Sequence, residues 1–153
     1  KLLELSDMSF VQVGIFSGHS MKRSVMRGIS RVTHVGMIGK FAKLAKGHFV
    51  THVAGNQVDV AFLTEIARSV GATDDCLTRM SKTTSGREFQ EIALAENMTE
   101  IYPILCDLVC KKSAEFLKED STKLIIDALC FDFEGNLLGS STTSDSLPIG
   151  VSS

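Results

Sequence analysis

No stretch of the 153 residues reaches the roughly 18 consecutive apolar side chains that a membrane helix needs, and no secretory signal peptide is visible. Cysteine is sparse: Cys76, Cys106, Cys110 and Cys130 form no CxxC pair and no framework spacing, which points to free thiols in a reducing cytoplasm. Cys106 and Cys110 share a helix face, and core packing explains that spacing better than metal binding does. Neither sign of charge is in large excess. A formal charge of -2 gives no global attraction to nucleic acid or to an anionic membrane. Lys22, Arg23, Arg27, Lys40, Lys43 and Lys46 nevertheless make the first third locally basic, which suits a modest anionic ligand. There is no internal repeat, and 44% hydrophobic with 22% charged residues is the composition of an ordinary globular domain.

What is present reads as alternating strands and helices. Residues 10–13 form a short apolar run broken by Gly14, which predicts a strand. Met21, Val25 and Ile29 recur at helical spacing, predicting an amphipathic helix over 19–28 that ends at Gly28. Residues 31–38 suit a largely buried strand of a parallel sheet. Gly39 and Lys40 then open a helix whose apolar face is Phe41, Leu44 and Ala45 and whose C-terminal cap is Gly47. Asn56 is the cap of the next helix and Asp59 its first-turn acid, with Val60, Leu63, Ala67 and Val70 as the buried stripe until Gly71.

Ser85-Gly86-Arg87-Glu88 has the form of a capping box ahead of Phe89, Ile92 and Ala93. A longer helix is expected over 98–118, with Pro103 in its first turn. Residues 124–133 read as a strand, and Glu134-Gly135-Asn136 turns it back through Leu137 to Gly139. The expectation is an α/β fold: a Rossmann-like, open, mostly parallel sheet with flanking helices and a C-terminal β-hairpin. Residues 1–139 form the α/β lobe, and 140–153 a Ser/Thr-rich disordered tail.

In such a sheet ligands sit beyond the carboxyl ends of the strands, where loops meet helix N-termini. Two glycine turns qualify, Gly14 to Gly18 and Gly36 to Lys40. Neither has the GxGxxG dinucleotide pattern, and the second lacks Walker A spacing, so a nucleoside triphosphate gains no support. The same glycines also serve tight turns and close helix packing. Lys40 stands against the helix dipole, which marks it as a functional candidate. His48 and His52 are four apart, but Gly47 ends the helix and no third ligand is near, so no metal site is assigned. Thr51 and His52 pair at a loop, able to hold a polar ligand or shuttle a proton near neutral pH. The bland alternative is a satisfied structural histidine. No partner can be named for His19 or His34.

Phe10-Val11-Gln12-Val13-Gly14, the string Val35-Gly36-x-x-Gly39-Lys40-x-x-Lys43-Leu44-Ala45-x-Gly47 and Thr51-His52 together resemble the CbiD family, the cobalt-precorrin-5B C1-methyltransferases of anaerobic cobalamin biosynthesis. The continuation Val53-Ala54-Gly55-Asn56-Gln57-Val58-Asp59 looks like that of archaeal-type members. The resemblance is close from Phe10 to Ala72, looser to Lys118, and recovers up to Gly139. Many members carry His-Pro where this chain has Met37-Ile38, so that histidine has no counterpart here. Members are also more than twice this length, so the chain reads as the C-terminal part of a two-lobed protein.

The resemblance implies transfer of a methyl group from S-adenosylmethionine to C-1 of cobalt-precorrin-5B, giving cobalt-precorrin-6A in the cytoplasm. It implies Lys40 and His52 as catalytic residues and Gly14, Gly18, Gly36 and Gly39 as backbone positions approaching the donor. Lys43, Thr51, Asn56 and Asp59 are assigned to the tetrapyrrole, with Lys22 or Arg23 guiding its carboxylates. Cobalt arrives in the substrate, so no protein-bound metal is required. A homo-oligomer or contacts with neighbouring pathway enzymes are the expected further partners. Two other readings stand beside it: another α/β enzyme binding a nucleotide or phosphate, and an inactive fragment that acts only as a structural module.

Overall fold

The structure, a computed structural model, describes residues 5–49 and 58–148. Among these residues six α-helices and three strands follow in the order α1 (Ser17–Met26), β1 (Arg31–Gly36), α2 (Ile38–Ala45), α3 (Val60–Ser69), α4 (Asp74–Ser81), α5 (Gly86–Ala95), α6 (Ile101–Leu117), β2 (Ile125–Phe131) and β3 (Leu137–Thr142). The α/β class holds. The sheet is small and mixed, with β2 central, parallel to β1 and antiparallel to β3. Among the described residues one strand pairing is therefore parallel and one antiparallel, where a mostly parallel sheet was expected.

The sheet's register rests on one carboxylate. Thr33 of β1 lies opposite Asp127 of β2, which lies opposite Thr142 of β3. Fully buried Asp127 accepts from Arg31 Nε at 2.9 Å and Nη2 at 3.3 Å, from Thr33 Oγ1 at 3.1 Å and from Thr142 Oγ1 at 2.6 Å. Such a charge is tolerated inside a protein only with partners of this kind. Slipping either neighbour by one residue turns its threonine to the other face and leaves the charge unpaired.

Alternate residues of β2, Ile126, Ala128 and Cys130, bury on the opposite face in one apolar cluster with Leu105, Cys106, Val109 and Cys110 of α6. The approach of α6 to β3 is close enough to dictate a residue. A Cβ on Gly139 would fall 2.6 Å from the carbonyl carbon of Tyr102 and 2.7 Å from the nitrogen of Pro103, both backbone atoms. Pro103 sits in the first turn of α6, where its missing N–H is no loss. Gly47 follows α2 with φ +81°, the left-handed cap that glycine adopts without strain.

Several boundaries differ from expectation. Residues 10–13 form no strand: Phe10 and Val11 are exposed, and no described segment pairs with them, because an apolar run makes a strand only where a neighbour supplies the ladder. Asp59 is the cap of α3 rather than its first-turn acid, accepting from Phe62 N at 2.9 Å, and Asn56 lies outside the described residues. Ser85 caps α5 through Glu88 N at 3.2 Å, but Glu88 reaches back to Thr84 N at 2.9 Å, one residue earlier than a capping box.

Helix α4 was not anticipated, although Thr73 caps it and Asp74 and Asp75 occupy its first turn. Ser140, Ser141 and Thr142 belong to β3, so the expected tail cannot begin at 140. Beyond the strand, Thr143 N bonds Ile126 O at 2.9 Å, Leu147 O accepts from Arg31 Nη2 at 3.2 Å, and Pro148 is buried. These short polar residues find partners on the sheet. Among the described residues no helix is long and apolar enough to cross a membrane.

Gly139→Ala should cost at least about 1–3 kcal/mol, since backbone atoms must move to admit the methyl. Asp127→Ala should cost about 3 kcal/mol, the low end for breaking a buried pair because Arg31 keeps some access to water. Both are read as a lower urea midpoint at unchanged m-value. An unshifted midpoint for Gly139→Ala would contradict the close approach of α6.

Candidate functional site

The parallel pair β1 and β2 ends at one edge of the sheet, Gly36 opposite Cys130. There β1 runs through Met37 into α2, and β2 runs into the turn before β3. Asp132 shapes that turn, accepting from Glu134 N at 2.9 Å, Asn136 N at 2.7 Å and Asn136 Nδ2 at 2.7 Å. No side chain caps α2, and the N–H groups of Lys40 and Phe41 bond Met37 O at 3.0 and 3.1 Å.

Lys40, the third residue of α2, donates its ammonium to the carbonyl oxygen of Gly14. That carbonyl offsets the unfavourable place of a cation at a helix start. Gly14 occupies the turn closed by Phe16 N to Val13 O at 2.9 Å, with φ +51°, where glycine is unstrained. The bond ties the loop before α1 to the start of α2 and brings Gly14, Gly36, Gly39 and Lys40 into one neighbourhood. Partial burial, then the nearby Lys43 charge, hold the Lys40 ammonium below its usual pKa.

The remaining expected residues divide. Gly18 donates its N–H to Phe49 O at 3.1 Å, and a Cβ there would fall 2.8 Å from Phe49 Cβ and 2.9 Å from Phe116 Cζ, so helix packing alone accounts for it. Gly36 has Phe41 Cε1 within 3.2 Å of the same position, and Gly39 has Val58 Cγ2 within 3.1 Å. Asp59 is engaged twice, as cap of α3 and in an ion pair with Lys46. The Lys46 bond, then the Phe62 N–H, hold its carboxyl below the usual range. Lys43 is half-buried on α2. Thr51, His52 and Asn56 lie outside the described residues.

His34, which the sequence left without a partner, is buried in β1 with Nε2 3.3 Å from Met21 Sδ and 3.3 Å from Ser113 Oγ. Burial, then the Lys40 charge, lower its pKa to about 4, so the ring is neutral at physiological pH. All four cysteines are buried free thiols, and burial pushes Cys110 and Cys130 up to about 12. They are not nucleophiles at neutral pH. Among the described residues no group of three or more His, Cys, Asp or Glu side chains is placed to hold a metal ion.

The start of α5 forms a second wall that the sequence did not reveal. A Cβ on Gly86 would fall 3.1 Å from the backbone nitrogen of Gly39, so α5 begins against the start of α2. One turn on, Arg87, Gln90, Glu91 and Leu94 face Phe133 and Glu134 across a cavity of about 290 Å³. Gly86 inside a capping pattern was the available signal, since a glycine at a helix start permits close backbone approach.

The family model described as CbiD, C-terminal domain, matches residues 50–142. A cobalt-precorrin-5B C(1)-methyltransferase of Leptospira interrogans is 35% identical over 138 residues, covering 90% of this chain and 37% of the relative. Proteins of the same name from Rubrobacter xylanophilus and a Geobacillus species are 34% and 28% identical, over 87% and 92% of this chain. The chain thus spans little more than a third of these relatives' length. No solved structure matches it.

An unfolded imidazole titrates near 6.5 and His34 at about 4, so between these values the unfolded state binds more protons. Stability associated with His34 is complete above about pH 6.5 and is lost as pH falls toward 4. Between pH 7 and pH 5 the parent should lose about 2 kcal/mol that His34→Gln does not lose, measured by urea unfolding at both pH values. Parallel losses in the two proteins would remove His34 as the cause.

Proposed function

The chain belongs to the CbiD family, and on that premise we propose that the full-length protein transfers a methyl group from S-adenosylmethionine to C-1 of cobalt-precorrin-5B, giving cobalt-precorrin-6A in cytoplasmic cobalamin synthesis. The observation that carries the site assignment is the Lys40 to Gly14 bond, which gathers two glycine turns and a partly desolvated cation at the carboxyl ends of β1 and β2. Rossmann-like organisation, with this sheet continued in a second lobe, belongs to the same proposal.

S-adenosylmethionine supplies an electrophilic methyl on a positive sulfonium. The new carbon–carbon bond forms at C-1 as the sulfur–carbon bond breaks, its electron pair remaining on sulfur to leave S-adenosylhomocysteine. The protein's task is orientation and charge placement, not covalent catalysis. Lys40 and Lys43, one helical turn apart on α2, meet peripheral carboxylates of the tetrapyrrole and fix its ring. Of the glycines beside them, Gly14 has open space through which the donor can approach, while Gly36 and Gly39 are already approached by Phe41 and Val58. In the same reading His52 is the proton carrier and Thr51, Asn56 and Asp59 are hydrogen-bonding partners of the substrate, Thr51, His52 and Asn56 lying outside the described residues. For Gly18 the packing against Phe49 and Phe116 favours a structural role instead.

The test is an anaerobic assay of the full-length protein carrying this chain, with donor and cobalt-precorrin substrate, followed by mass spectrometry. One donor-dependent methyl should be gained. Lys40→Ala and Lys43→Ala should each lower kcat/KM by about 10–100-fold, as expected for a lost hydrogen bond to a charged group. No mass change with folded protein and intact substrate would end the methyl-transfer reading.

A further inference from the structure

We propose that the cavity between α5 and the turn joining β2 to β3 seats the adenine ring of the methyl donor, an assignment that rests on the methyl-transfer reading above. The cavity, about 290 Å³, is lined by Arg87, Gln90, Glu91, Leu94, Phe133 and Glu134. It falls just below the roughly 300–1,000 Å³ usual for ligand sites, the scale of a nucleoside and not of a tetrapyrrole.

Its lining selects the ligand's chemistry. Gln90 is 2% exposed, and its Oε1 is buried with no hydrogen-bond partner. Buried acceptors are nearly always satisfied, so an unsatisfied one on a residue that lines the cavity calls for a donor that reaches it when the site fills. An exocyclic amino group on a flat ring supplies it. Phe133 and Leu94 are 43% and 40% exposed, large apolar surfaces left open at the rim. The Arg87 guanidinium lies 5.1 Å over the Phe133 ring, adding a second planar group on which an aromatic ring stacks.

Charge separates the two substrates of the reaction. The lining holds one cation, Arg87, against two carboxylates, Glu91 and Glu134. This suits ribose hydroxyls and a base amino group to be accepted, and opposes a polycarboxylate ring. Glu91 is already oriented by Arg87 Nε at 3.1 Å. At the seam where α5 meets α2, Gly86 packs against Gly39, one residue before Lys40. A donor lying along that seam has its base at Gln90 and its methyl end beside the lysines.

The measurement is calorimetric binding of adenosine, purine riboside and S-adenosylhomocysteine to the full-length protein and to its Gln90→Met and Phe133→Ala variants. Purine riboside, lacking the 6-amino group, should bind the parent about tenfold more weakly than adenosine. Gln90→Met should weaken adenosine and S-adenosylhomocysteine to that level and erase the preference. Its urea midpoint should be no lower than the parent's, because an unsatisfied oxygen has been removed, so lost binding is not lost folding. Phe133→Ala should weaken all three ligands. Equal binding of adenosine and purine riboside by the parent, or an unchanged preference in Gln90→Met, overturns the assignment. Methyl transfer with an unaltered donor KM in Gln90→Met sinks the cavity and leaves the function. Gln90-dependent adenosine binding without methyl transfer sinks the function and leaves the cavity.

Discussion

The buried carboxylate of Asp127 is the constraint on which the rest of the structure depends. Its partners come from both neighbouring strands, Arg31 and Thr33 on one side and Thr142 on the other. One residue therefore sets the register of the whole described sheet. With that register fixed, Gly36 and Cys130 face each other at the strand ends. The loops after β1 and β2 then emerge side by side, and the α2 start and the Asp132 turn share one edge. Had the strands slipped, Lys40 and Phe133 would belong to different regions of the surface.

The opposite face works by packing instead of charge. Helix α6 lies so close to β3 that Gly139 admits no side chain, and its buried residues form one core with β2. His34 joins this core as a neutral ring between Met21 and Ser113, a polar group accommodated by two weak partners and an ordinary instance of burial deciding protonation. The core thus holds the helices α1, α2 and α6 against one side of the sheet.

Much of the helical framework was legible because helices carry local signals. Gly47 beyond α2, Ser85 before α5 and Pro103 in the first turn of α6 each announce a boundary within a few residues. Helix α4 carried such a signal in Thr73 with Asp74 and Asp75 and was overlooked for want of a strong apolar stripe. Residues 10–13 failed for a different reason: a short apolar run shows that a segment can pair, not that a partner stands beside it. The Arg31 to Asp127 pair, 96 residues apart, has no local trace at all. At the site, Gly36, Gly39 and Lys40 stood out through glycine spacing and a cation against the helix dipole. Gln90 did not, because a glutamine becomes informative only when the fold buries its oxygen without a partner.

In the proposed arrangement donor and tetrapyrrole share one edge, the base toward α5 and the carboxylates toward α2. Hydrogen–deuterium exchange of the full-length protein, with and without S-adenosylhomocysteine, addresses this most directly. Slower exchange concentrated in residues 36–40, 86–94 and 131–136 is the predicted result. Protection confined to other parts of the protein, with these three segments unchanged, would contradict it.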